Sequence, residues 1–488
     1  MLENKIRKFV LRKGLLPGSP FLFYTWVQYL VILACFIYIL VRAIKIPVTH
    51  DEAGTILNFS TQSVWDIISY KDPIPNNHLL NTLLIKFSTG LFGMNEISCR
   101  LPNLVGGLLY LLGSFRLSFL LFRTPVLRLS FLILMIANPF VIEFFALARG
   151  YGLSVGFMLV SIYFLLQRKE KNLYTSILLA AIAVYTNLTQ LNYLAPLIIL
   201  VIYLAIKQHF FKSNFILITA GILLLLGVML AVPVYKMVKT DQFIYWGNTG
   251  FWNETFLPLL KSSIQGEGYF SQWTVQIFIA LICFSVLFTI IKSWHGWSSK
   301  KDNFSDALLL NCIFCGALLY NIMQHYLFNI PFLNARTSIF FYPLFVLALS
   351  SSIAEGGMTY YKKPLYVFYI LTASFGLVHI SRTYNLHSAF EWWYDGDNKK
   401  VINRLIDSDV SKPIRLKCNW IFQPSLTFYT KGMNQKLIMP PPYVKTIDTS
   451  ELADYYYITS DDLNDWFRKN YNIDTSFAWN TRYLMKKK

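Results

Sequence analysis

The feature that most restricts this chain is a series of uninterrupted apolar runs. Each is roughly 18 to 24 residues long, the length a helix needs to cross a bilayer core of about 30 Å. Backbone amides inside hydrocarbon have no water to bond, so such runs must be helices. Eleven runs can be counted. The first is about Phe21–Ile46, the second about Arg100–Phe122, the third about Val126–Phe145 and the last about Pro364–Ser381. The expected architecture is an α-helical polytopic membrane protein of about eleven transmembrane helices. Composition agrees: 55% of residues are hydrophobic and only 14% charged, too little charge for a soluble chain of this length.

A net charge of +18 would fit a nucleic-acid partner if the cations shared one face. They do not. Lys5, Arg7, Lys8, Arg12 and Lys13 precede the first run, and Arg123, Arg128, Arg168, Lys169, Lys171, Lys207, Lys212, Lys292, Lys300, Lys301, Lys362 and Lys363 occupy alternate short loops. This is the distribution of cytoplasmic loops in a membrane protein. It places the N-terminus in the cytoplasm and, after eleven crossings, the C-terminus outside. Nucleic acid is not an expected partner; membrane lipid is. The first run is too long for a signal-peptide core and reads as a transmembrane helix. The six cysteines are scattered and form no disulfide framework. Cys312 and Cys315 have redox or metal spacing, but they sit inside an apolar run with no second pair.

Two regions escape the helical pattern. Residues 47–100 form a long outer loop in which Leu79, Leu80, Leu83, Leu84 and Phe87 repeat with helical spacing. A helix so patterned should lie along the membrane surface, and Ala53–Ser63 could do the same. Beyond residue 381 the apolar runs shorten and charges of both signs appear. Ile414–Trp420 and Tyr455–Thr459 read as strands and Asp461–Asn470 as a helix. The expected division is a membrane domain over 1–381 and a small α/β extracytoplasmic domain over 382–488.

Polar chemistry gathers on the outer side. Thr49-His50-Asp51-Glu52-Ala53-Gly54 puts adjacent carboxylates at the mouth of the first helix. A carboxylate at a low-dielectric boundary can serve as a general base, or Asp51 can simply cap the next helix. Asn76, Asn77 and His78 offer donors to a phosphate or a sugar, or form a turn with a helix cap. Arg100, Arg149 and Arg336 each stand at the outer end of a span. Guanidinium groups converging there could hold an anion, or they could snorkel to headgroups. Glu143 is a candidate partner for Arg149 or a second acid of the site. The aromatic loop Phe243–Trp252 can stack on a sugar or sit at the interface. His50, His78, Asp51, Glu52 and Glu143 lack metal-ligand spacing, so no cofactor is expected. No Walker loop, dinucleotide fingerprint or serine-hydrolase elbow is present.

Taken in order, these motifs resemble the GT-C membrane glycosyltransferases, in the branch of the protein O-mannosyltransferases and the lipid A aminoarabinose transferase. Asp51-Glu52 follows the first helix. Asn77-His78 opens an amphipathic helix, and Gly93-x-x-Glu96 and Arg100-Leu101-Pro102 follow it. Asn138-Pro139, Ala148-Arg149-Gly150-Tyr151 and Arg336 before Phe341-Tyr342-Pro343 complete the series. The resemblance departs at the outer end of the third span, where Glu143 and no aspartate stands.

What the resemblance implies is an inverting hexosyl- or pentosyltransferase on the outer face of a bacterial inner membrane. It would move a sugar from a polyprenyl-phosphate carrier to a hydroxyl of a lipid, glycan or protein. Asp51 maps to the catalytic base, with Glu52 beside it. Arg149, Arg336, His78 and Arg100 map to the donor phosphate, and Asn77, Glu143 and Tyr151 to substrate. Two other readings compete. A transporter or flippase would carry charged or broken helices at mid-membrane, whereas here the helix centres are apolar. A glycan ligase or polymerase of related fold would share the donor.

Overall fold

The computed structural model describes residues 20–242, 247–265, 268, 271–298, 305–356, 362–407, 413–433, 438–478 and 480–488. The basic residues before the first span, Lys300, Lys301 and part of the aromatic loop (243–246) lie outside them. Every expected span is a helix. Seven helices are long and apolar enough to cross a membrane: Phe23–Lys45, Glu96–Leu121, Leu188–Lys207, Ser213–Lys239, Asp306–Phe328, Ala335–Glu355 and Lys363–Thr383. An eighth candidate is broken: Pro125–Ile136 and Pro139–Ala146 meet at 68°. The break is at Asn138-Pro139, where the Asn138 side chain accepts from Val141 N and caps the second segment. The helices Tyr151–Leu166, Glu170–Thr186 and Gln272–Ser298 fall on the remaining three expected runs without joining these eight candidates. The chain is a multi-pass integral membrane protein.

The described residues form two compact units. The first comprises those within Met1–Ile39, Leu104–Phe145 and Tyr151–Tyr384. Its helices pack through small residues. A Cβ on Gly156 would lie 2.4 Å from Gly106 O, so these two helices touch backbone to backbone. Arg128, read as a loop cation, is buried here and donates to Phe122 O, with its guanidinium over the Phe119 ring.

The second unit gathers Leu40–Asn103, Ala146–Gly150 and Asn385–Lys488. Its sheet has the order β2-β1-β3-β5-β4, with β1 Ile414–Cys418, β2 Ile438–Met439, β3 Tyr455–Thr459, β4 Tyr471–Phe477 and β5 Arg482–Lys487. β1 is parallel to β2 and β3, while β3–β5 and β5–β4 are antiparallel. The β1-to-β2 crossover carries the short helix Gln423–Thr427 and a π-turn, Phe428–Gly432. One apolar core joins Ala53, Ile56, Ile85 and Cys99 of the early loop with Leu416, Phe422, Leu426, Phe428 and Tyr457 of the late segment. Ala53–Ser63 is therefore no surface helix: it runs as the helix His50–Gly54 and the π-turn Thr55–Ser60, with Ala53, Ile56 and Phe59 buried. The helix Leu79–Phe92 does form. It turns Asn81, Thr82 and Ser88 inward and leaves Phe87, Leu91 and Phe92 exposed, the side that lipid would cover.

Candidate active site

The second unit contains a cavity of about 690 Å³. Its floor is the His50–Gly54 helix. Thr49, not Asp51, is the N-cap: its hydroxyl accepts from Glu52 N, and Glu52 Oε2 accepts from Thr49 N at 2.9 Å. The cap is supplied by Thr49, so Asp51 does not act as one. Successive helical residues point about 100° apart, so Asp51 and Glu52 face different surroundings.

Glu52 faces inward and is fully buried. Arg100 Nε donates to its Oε1 at 2.8 Å and Arg100 Nη2 to its Oε2 at 2.7 Å. Ala148 N adds a bond to Oε1 at 2.6 Å. The other Arg100 donors go to Ala43 O, Ile46 O and Pro47 O. All five N–H groups of Arg100 are thereby used inside the protein, and none is left for the lipid phosphate expected of it. Glu52 does not line the cavity. A buried pair of this kind offsets its desolvation only when every donor is met, and here every one is.

Asp51 faces the cavity. Its side chain is 18% exposed, and Arg149 Nη2 lies 3.4 Å from Oδ2 while Arg149 itself is 1% exposed. Arg149 Nη1 reaches Thr55 Oγ1 at 3.2 Å and Asp51 O at 3.4 Å, and Nη2 donates to Asn76 Oδ1 at 3.0 Å. The guanidinium thus ties the Asp51 helix to the Asn76 loop from behind. Gly150, with φ +63°, makes this possible: a Cβ there would meet His78 Cβ at 2.9 Å.

The remaining expected residues fall as follows. His78 is buried at the N-cap of the Leu79–Phe92 helix. Asn77 is structural, its Nδ2 donating to Ile67 O at 3.3 Å and its carbonyl accepting from the Tyr70 hydroxyl at 3.1 Å. The neighbouring Asn76 is the one that lines the cavity. Glu143, Tyr151 and Arg336 belong to the first unit. Glu143 is buried, Tyr151 packs edge-on against Phe144 with ring centres 5.2 Å apart, and Arg336 is half-buried in the turn Ala335–Ser338.

Sequence reasoning missed the opposite wall. Gln423, Thr427, Lys431 and Tyr443, from the late segment, line the same cavity. The two walls are fastened together: Ser425 Oγ donates to Val48 O at 2.5 Å and Val48 N to the Tyr429 hydroxyl at 2.9 Å. His50 N donates to Asp395 Oδ2 at 2.7 Å. Among the described residues, no group of three or more His, Cys, Asp or Glu is placed to hold a metal ion.

By sequence, no family model matches the chain and no curated protein matches it significantly. By structure, it is similar to ArnT from Cupriavidus metallidurans bound to undecaprenyl phosphate. The TM-score is 0.51 at 12% identity, over 94% of this chain and 98% of that one. The chain shares its fold with that ArnT structure. An Archaeoglobus fulgidus oligosaccharyltransferase, in complex with zinc and sulfate, aligns with a TM-score of 0.40 at 10% identity, over 94% of this chain and 73% of that one.

Proposed function

We propose that the chain is a glycosyltransferase that moves a sugar from a polyprenyl-phosphate carrier to a hydroxyl acceptor. The observation that carries this reading is Asp51. It is the one carboxylate among the described residues lining the cavity, and a buried guanidinium lies 3.4 Å from it. The structurally similar ArnT was captured with undecaprenyl phosphate, which supports a carrier of that class here.

In this reaction the acceptor oxygen attacks the anomeric carbon. The bond from that carbon to the phosphate oxygen breaks, and its electron pair leaves on the phosphate. Asp51 takes the acceptor proton, and the anomeric configuration inverts. Positioned general bases contribute about 10²- to 10⁴-fold. Glu52 and Arg100 act indirectly by fixing the helix that presents Asp51. Arg149, Thr55 and Asn76 orient the base. Negative charge develops on the carrier phosphate as the sugar leaves, and a cation beside it would offset that charge. The cavity faces the outer side of a bacterial inner membrane in this reading, with the basic loops and the N-terminus in the cytoplasm and residues 382–488 outside.

The test uses the full chain in nanodiscs with a panel of undecaprenyl-phosphate sugars and a native envelope extract as acceptor, with released undecaprenyl phosphate measured by mass spectrometry. Release by the wild type and not by Asp51→Asn is expected. No release from any donor, or equal release by Asp51→Asn, would remove the reading.

A further inference from the structure

The charge inventory of the cavity is short. Asp51 is its acid. Among the described lining residues, Lys431 is the one with a permanent positive charge; Asn58, Thr61, Asn76, Gln423 and Thr427 are neutral hydrogen-bonding groups. Asp51 alone would repel any anionic substrate, and the buried Arg149 is committed to Asp51, Thr55 and Asn76. A compensating cation on the open side therefore decides whether a phosphate can enter.

Lys431 is exposed, and no hydrogen bond or ion pair among the described residues holds its ammonium. A lysine like this is usually a solvated surface cation. Two features separate it from that case. First, its backbone is fixed. It sits in the π-turn Phe428–Gly432, a rare conformation that gathers at functional sites. Phe428, Tyr429 and Thr430 before it are buried, and Thr430 Oγ1 donates to Leu426 O at 2.9 Å. Second, the turn is pressed onto the Asp51 side of the cavity. A Cβ on Gly432 would lie 3.1 Å from Met94 Sδ and 3.3 Å from Leu57 Cδ2. Both chain segments that meet there line the cavity. The lysine is thus delivered by a rigid turn to a wall of the cavity that holds the base.

We propose that Lys431, supplied by the C-terminal segment, is the phosphate-binding residue of the Asp51 cavity. This rests on the transferase reading for its substrate class. An ammonium meets phosphate as a compact point charge without demanding a fixed plane, which suits a group that gains charge as the sugar leaves. The phosphate can be that of the carrier or one borne by the acceptor. In either case the late segment takes a direct part in substrate recognition.

The experiment measures binding of two probes to the full chain in nanodiscs: undecaprenyl phosphate and glucose 6-phosphate. Wild type is compared with Lys431→Met, which keeps the apolar stem, and Lys431→Arg, which keeps the charge. Unchanged thermal unfolding confirms that both variants fold. Lys431→Met should weaken at least one probe by roughly tenfold while Lys431→Arg stays close to wild type. Loss confined to undecaprenyl phosphate assigns the lysine to the carrier; loss confined to glucose 6-phosphate assigns it to a phosphorylated acceptor. If Lys431→Met binds both probes as wild type does, the proposal is overturned while the transferase reading stands. Wild type that binds undecaprenyl phosphate not at all removes the transferase reading instead, and with it this role for Lys431.

Discussion

Glu52 and Arg100 close a two-pronged ion pair, 2.8 Å and 2.7 Å across its two bonds, with neither side chain reaching solvent. Breaking such a pair from one side strands a buried charge and costs about 3 to 5 kcal/mol. Arg100→Leu is therefore expected to lower thermal stability severely. The double variant Glu52→Leu with Arg100→Met should recover part of that loss, because no lone charge remains. Thermal unfolding of the purified chain in detergent decides it. A single variant as stable as wild type would show that the pair does not hold the Asp51 helix.

The neighbouring carboxylate should behave in the opposite way. Asp51→Asn keeps side-chain size at a partly exposed position, so stability should shift by less than about 1 kcal/mol. Sugar transfer should fall by about 10²-fold or more. Measured together with Glu52→Gln, this gives a clean contrast: one residue governs rate and its chain neighbour governs folding. Similar stability losses for both would mean that the division of labour drawn from their burial is mistaken.

That division is also where the sequence was legible and where it stopped. The acidic pair drew attention because carboxylates at the end of an apolar run are rare. Which of the two faces the cavity depended on the Thr49 cap and on Arg100, whose five bonds reach residues far away in the chain. For Asn76 and Asn77 the same ambiguity arose, and only the turn that hands Asn77 to Ile67 O separates them. The eleven helices were readable because length and apolarity in a membrane leave few alternatives. β4 and β5 were not. Their sequences, Tyr471–Phe477 and Arg482–Lys487, mix charges with apolar residues, and β4 lies at the sheet edge with only Tyr471 buried. Lys431 gave no signal at all, since its turn meets the cavity through Gly432 against Leu57 and Met94, hundreds of residues earlier in the chain.

Arg149 separates a positioning role from direct phosphate binding. Its guanidinium contacts Asp51, Thr55 and Asn76, so Arg149→Gln should lower kcat by about tenfold or more with little change in the donor KM. A large rise in donor KM at unchanged kcat would instead assign Arg149 to the phosphate, as the family resemblance implied.

Gly150 supports the same turn. Its φ of +63° costs an L-residue about 1 to 2 kcal/mol, and a Cβ would collide with His78. Gly150→Ala should destabilise the chain by at least about 2 kcal/mol and reduce transfer further by moving Arg149. The comparison of residual activity with Gly150→Asn, which tolerates positive φ better, separates backbone strain from collision. Equal losses would point to the contact with His78.

Asp395 ties the late segment to the His50–Gly54 helix. Its carboxyl is buried, with Oδ2 accepting from His50 N at 2.7 Å and Oδ1 from Asn398 Nδ2 at 2.8 Å. Burial pushes this carboxyl well above the ordinary carboxylate range, and the negative charges of Asp51 and Glu52 push the same way; the two hydrogen bonds oppose them without winning. A folded value raised above the unfolded one means that the folded state holds the proton more tightly. Its stabilising contribution is complete below the unfolded value of about 3.9 and is lost as the pH rises from there through the raised folded value. Thermal stability of the wild type should accordingly decline across that window. Asp395→Asn should flatten this part of the profile. The variant keeps an oxygen for His50 N, and the Asn398 amide can turn over to present its Oδ1, which has no other partner among the described residues. A wild-type profile that rises across the window, or an Asp395→Asn profile with the same decline, would show that Asp395 is ionised in the folded protein and that its two hydrogen bonds outweigh its burial.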